Sequence, residues 1–181
     1  TSAGAAILPY AAAPKRDKND QAPDHSESNP DAAIPHLATR TLVALKPVET
    51  LLGALDGTQG AAALSVLKYI HDDKVVATLN ARASKNPDPA ILATLVRLYH
   101  REGGYSEGWW GTRPDTTGPY YAREKWSGSD AIEAGLKTAL AKAPKATVEN
   151  VKAQLASHHI ALQDPPAGTP VAHTNNAHAP S

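Results

Sequence analysis

Seven of the nine aromatic side chains in this 181-residue chain fall between residues 99 and 126: Tyr99, Tyr105, Trp109, Trp110, Tyr120, Tyr121 and Trp126. Between them stand Gly103, Gly104, Gly108, Gly111 and Gly118, with Pro114 and Pro119, which together rule out a continuous helix. The chemistry on offer is that of binding. Trp109 and Trp110 present flat apolar faces with one N–H donor each. Arg113 is a planar cation able to stack on them or to clamp a carboxylate such as Glu107 or Asp115. Thr112, Thr116 and Thr117 add hydroxyls, and His100-Arg101-Glu102 stands where the segment begins. Three uses fit this composition. The aromatics could fold back and plug the end of a helical stack, replacing core in a chain with no Phe or Met. They could dock onto another domain or subunit, since Trp, Tyr and Arg dominate interface hot spots. They could form a platform for a carbohydrate or small ligand, with Trp109, Trp110, Arg113 and Tyr120 as its surface. Docking is the leading expectation, carried by Tyr105, Trp109, Trp110, Arg113, Asp115, Tyr120, Tyr121 and Trp126 with His100 and Arg101.

Other constellations offer less. No nucleophile elbow, paired carboxylates in a matching context, or phosphate-cradling glycine loop is present, so no catalytic residue is assigned and the chain is read as a non-enzyme. His158 and His159 are adjacent, which on a helix points them about 100° apart and prevents i, i+4 chelation; a helix C-terminus favouring His⁺ explains them structurally. His36 and His71 fall at helix boundaries and are expected to be caps or satisfied contacts. His173 and His178 lie in a Pro-rich tail. Asp115 and Glu124 are the two carboxylates that the aromatic loop could bring together. No metal ligand or cofactor is assigned.

The totals narrow the classes further. Lys plus Arg and Asp plus Glu are each 18, so no net field draws the chain to nucleic acid or to an anionic membrane. Zero Cys excludes disulfides, thiolate metal sites, covalent haem attachment and a Cys nucleophile. No apolar run approaches the roughly 18 residues of a membrane span. The chain contains no Met and begins at Thr1, from which a processed product or a piece of a longer protein is expected.

The elements that must position the aromatic segment are helical. Residues 1–28 read as a linker or extended N-terminal segment and residues 163–181 as a Pro-rich tail, neither with a core-forming pattern. Between them, residues 29–162 form the expected domain, with an aromatic loop over 101–128. Asn29-Pro30-Asp31 opens a helix carrying Ile34, Leu37, Leu42 and Leu45 that Pro47 stops. Val48, Leu51, Leu52 and Leu55 make one face of the next, ending at Gly57. Ala62, Ala63, Val66, Leu67 and Ile70 repeat the pattern. Asp72 or Asp73 caps a helix with Val75, Val76 and Leu79, and Pro89 begins another with Ile91, Leu92, Leu95, Leu98 and Tyr99, capped by Gly103-Gly104. Ser129-Asp130 restarts helix, Glu133 standing three residues after Asp130 as in a capping box, with Ile132, Leu136 and Leu140 on its face until Pro144. Thr147 caps the last helix, with Val148, Val151 and Leu155 inward. About seven short helices with close connections and no period-2 strand predict an all-α fold, short antiparallel hairpins stacked as a HEAT-like α-solenoid. A compact irregular bundle is the alternative.

Three runs carry a resemblance: His71-Asp72-Asp73-Lys74, Leu98-Tyr99-His100-Arg101-Glu102-Gly103, and Gly108-Trp109-Trp110-Gly111-Thr112-Arg113-Pro114-Asp115-Thr116-Thr117-Gly118-Pro119-Tyr120-Tyr121. Over about residues 30–160 the chain resembles the HEAT-repeat-like region of large exported multidomain proteins of Planctomycetes, Verrucomicrobia and related bacteria. Those proteins join a glucose/sorbosone-dehydrogenase-like β-propeller, this helical region, and a c-type cytochrome or auracyanin-like blue-copper module. The resemblance implies a scaffold in an exported redox or electron-transfer assembly of the periplasm or cell envelope, partnered by domains or subunits of that assembly. An accessory subunit of a larger membrane-associated complex is a further reading, with the tails ordered along its surface. The propeller is missing here, and the haem and blue-copper modules lack their Cys ligands, so the resemblance implies no redox centre in this chain.

Overall fold

The structure is a computed structural model that describes residues 2–12, 30–103 and 123–162. It is mostly helical. Helix α1 (Ala3–Ile7) runs into a short 3-10 turn, Leu8–Ala11, and is followed by α2 (Pro30–Leu45), α3 (Val48–Gly53), α4 (Gly60–Leu67), α5 (Asp73–Lys85) and α6 (Pro89–Leu98). Two short strands, β1 (His100–Glu102) and β2 (Arg123–Lys125), precede α7 (Ser129–Leu140) and α8 (Lys145–Ser157). All seven helices expected between residues 29 and 162 are present.

Local chemistry explains several of the boundaries. The Asp72 carboxylate accepts from the backbone N–H groups of Lys74 and Val75 at 2.9 and 3.3 Å, satisfying donors the first turn of α5 leaves open. Asp88 does the same for Ala90 and Ile91 at 2.8 and 3.1 Å, with Pro89 in the first helical position. Helix α8 ends in a paired-turn cap: His159 sits at φ 52°, its N–H bonds the Ala156 carbonyl, and Ile160 N–H reaches Leu155. His159 therefore occupies the left-handed position that glycine usually fills, and Ile160 packs back into the core.

Other boundaries depart from the sequence expectations. Helix α8 starts at Lys145, with Pro144 and not Thr147 at its cap position. Helix α7 starts after Gly128 without a side-chain cap, so Asp130 and Glu133 form no capping box; Glu133 is buried instead. Helix α6 ends at Leu98 with Tyr99 as its cap residue, so Gly103 lies beyond a strand and caps no helix. The ladder itself was unforeseen, because three-residue strands made almost wholly of charged residues carry no alternation to read.

The packing follows alternate helices. Helix α2 contacts α4, α4 contacts α6 and α6 contacts α8, while α1 contacts α3, α3 contacts α5, and α5 meets α7 in the most extensive contact of the molecule. The α5–α7 approach is close: a Cβ at Gly135 would overlap the Asn80 side-chain amide, whose Nδ2 donates to the Ala131 carbonyl at 2.8 Å. Leu51, Leu67, Leu79, Leu92, Leu95, Ile132 and Leu136 are fully buried between the rows. Residues 3–11, read from the sequence as part of a linker, are helical and pack on α2, α3 and α4, with Leu8 1% exposed and Ala11 buried. Helix α2 departs most from its pattern. Ala38 and Leu42 are buried, yet Ile34, Leu37 and Leu45 are 43%, 61% and 53% exposed. Among the described residues no helix is long and apolar enough to cross a membrane.

Candidate functional site

Tyr105, Trp109, Trp110, Arg113, Asp115, Tyr120 and Tyr121 lie outside the described residues. His100, Arg101 and Trp126 lie within them, at the stem from which the aromatic segment leaves and to which it returns. That stem is an antiparallel ladder pairing His100 with Lys125, Arg101 with Glu124, and Glu102 with Arg123. Each of the last two pairs sets opposite charges across the ladder, which favours this register. Arg101 donates through Nε and a terminal nitrogen to one Glu124 oxygen at 3.3 and 3.2 Å. Glu124 is thereby paired with Arg101, and its expected companion Asp115 lies outside the described residues.

Behind the ladder, three successive carbonyls running from the last residue of α6 through its cap residue into β1 are each met by a side chain. A helix C-terminus leaves these acceptors without helical partners. The Trp126 indole N–H donates to Leu98 O at 2.8 Å, the Ser129 hydroxyl donates to Tyr99 O at 2.7 Å, and His71 Nε2 bonds His100 O at 3.0 Å. Because the acceptor in the last bond is a carbonyl, His71 carries its proton on Nε2. Ser129 Oγ also accepts from the Trp126 backbone N–H at 2.9 Å, closing the turn that leads into α7. The Trp126 ring meets His71 edge-on, with centroids 5.2 Å apart, and a Cβ at Gly128 would strike that ring. Deeper still, the buried Tyr99 hydroxyl donates to Glu133 at 3.0 Å, and Lys137 neutralises the same carboxylate at 2.8 Å. Both ends of the aromatic segment are thus held by one network that draws on α6, α7 and the turn before α5.

The electrostatics of the stem are one-sided. His71 is held below the usual histidine range, first by burial and then by Arg97 and Arg101, against the opposing pull of the His100 carbonyl. His100 is lowered by burial, Arg123 and Lys125, and His158 by burial, Arg97 and Arg123. Burial thus outweighs the helix-end preference for His⁺ expected at His158. The Arg123 Nε is buried and finds no partner among the described residues. Tyr99 is raised, chiefly by burial.

Beside the stem, a cleft of about 700 Å³ opens between α2 and the ends of α4 and α6, with Arg40, Tyr69, His71, Arg97, Arg101 and Glu102 among its lining. Sequence reading passed over Arg40 and Arg97, and read Ser129 and Glu133 for a helix start and a capping box and not for the stem. The one signal for Arg97 was position, near the end of the helix that launches the ladder. Among the described residues no group of three or more His, Asp or Glu side chains converges to hold a metal ion. No family model, curated protein or solved structure matches the chain.

Proposed function

We propose that the chain is a non-catalytic helical docking module, a HEAT-like scaffold presenting the segment between Glu102 and Arg123 to another protein domain or subunit. The observation that carries this reading is the clasp that Trp126, Ser129 and His71 make on the successive carbonyls of Leu98, Tyr99 and His100, where α6 passes into β1. A binding segment loses least entropy on association when both its ends leave a rigid base, and this network supplies one. Contacts between alternate helices support the HEAT-like reading, since stacked hairpins bury each helix against its counterpart in the next hairpin. From the family resemblance we take the host to be an exported redox or electron-transfer assembly of the cell envelope. In it this chain supplies scaffold, since its composition holds no Cys for haem attachment or blue copper.

The test is the double substitution Trp109→Ala/Trp110→Ala, compared with the wild-type chain and the partner that copurifies with it. Docking predicts loss of that partner while the thermal midpoint stays within about 2 °C. A fall in the midpoint of tens of degrees would show instead that the tryptophans complete the core, and full retention of the partner would equally overturn the docking role.

A further inference from the structure

The cleft beside the stem has a lining chemistry of its own, independent of the docking reading. It is lined by three guanidinium groups from three different elements, Arg40 on α2, Arg97 on α6 and Arg101 on β1, with the Glu102 carboxylate also in the lining. Guanidinium groups stay charged at any working pH, so this lining is permanently cationic at those three positions. Two of the three are already oriented. Arg101 is fixed by its pair with Glu124, and Arg97, with its side chain 19% exposed, stands 5.3 Å over the Tyr69 ring and 4.0 Å from Glu102. The third differs. Arg40 is exposed at the cleft and has no ion-pair or hydrogen-bond partner among the described residues.

Arg97 and Arg101 already have counter-charges in Glu102 and Glu124, whereas Arg40 meets none among the described residues. An anion in the cleft supplies that missing counter-charge. The planar forks of arginine match oxyanions in paired hydrogen bonds, and Val43, Ala44 and the Tyr69 ring offer apolar wall for the body of a ligand. We propose that this cleft is a binding site for a small dianionic oxyanion, a phosphate monoester or a dicarboxylate, with Arg40 closing on the ligand from α2 and Arg97 and Arg101 receiving it from the opposite side.

The experiment is a titration of the ¹⁵N-labelled full chain with inorganic phosphate and, separately, with succinate, each against sodium chloride at matched ionic strength. The Nε–H signals of Arg40 and Arg97 are identified by their loss in Arg40→Gln and Arg97→Gln. The proposal expects saturable shifts of both signals with at least one dianion and none with chloride, the preferred probe distinguishing a tetrahedral from a planar ligand. Arg40→Gln should weaken the affinity read at Arg97 by about tenfold or more, the loss of one charge-assisted contact. Because Arg40 is exposed on α2, this variant should retain the wild-type thermal midpoint. Shifts that are linear and equal to those of chloride, or undiminished affinity in Arg40→Gln, would overturn the site.

Discussion

The stem of the aromatic segment and the outward side of α2 lie close together and use their side chains in opposite ways. At the stem most polar groups are committed to the fold: Trp126, Ser129 and His71 meet the successive carbonyls of Leu98, Tyr99 and His100, and Glu133 is shared by Tyr99 and Lys137. On α2, Ile34, Leu37 and Leu45 lie open to solvent and Arg40 faces the cleft without a partner among the described residues. The stem resembles a core in its economy, and α2 resembles a surface awaiting something. The difference separates side chains that hold the molecule together from side chains that the fold leaves uncovered, a distinction that rests on what packs against each region.

The comparison can be broken first at the stem. Tyr99→Ala removes a buried ring and one of the hydrogen bonds to the Glu133 carboxylate, and should cost about 3–5 kcal/mol in urea unfolding; Ser129→Ala, which deletes a hydroxyl bonded on both sides, should cost about 1–3 kcal/mol. Losses within about 0.5 kcal/mol for both would show that the network is ornamental and the stem no more committed than α2.

A second prediction concerns acid. His71, His100 and His158 all titrate below their ordinary value of 6.5 in the folded chain, so the unfolded chain binds protons more readily. Stability therefore rises with pH through this window: it is fully present above about pH 6.5 and drains away as the pH falls through the lowered folded values. Unfolding midpoints measured from about pH 7.5 down to about pH 5 should decline, and His71→Gln should flatten part of that decline. A level profile over the same range would contradict the burial assigned to these rings.

The smallest effect belongs to α2. Leu37→Gln and Leu45→Gln should leave stability within about 0.5 kcal/mol of wild type, as for exposed positions without a structural role. A loss of about 2 kcal/mol or more in either, the scale of a fully buried leucine, would mean that this face is covered within the folded chain, erasing the contrast with the stem.

Helices α5 and α6 were legible from the chain because their starts are local. Asp72 and Asp88 lie two and three residues from the N–H groups they accept from, and Pro89 needs no distant partner to begin a turn. The apolar spacing of Leu92, Leu95 and Leu98 likewise marks the buried face whatever lies opposite. Of the candidate site, sequence reading located the aromatic segment and its margins at His100, Arg101 and Trp126, yet read Trp126 for its exposed chemistry when its N–H is bound to Leu98. Helix α2 misled for the converse reason. Its leucines follow a helical stripe, but a stripe says which residues share a face and not whether another element covers it.

Sequence by itself determined the helical character, the number of helices between residues 29 and 162, and the absence of Cys-based chemistry, since each depends on residues within a few positions or on composition. Tertiary structure alone decided that residues 3–11 join the core, that charged residues 23 positions apart pair across a ladder, that Glu133 is buried beneath Tyr99, and that arginines from α2, α6 and β1 face one cleft. Those outcomes depend on contacts between residues tens of positions apart, whose free energy exists only once the helices have packed.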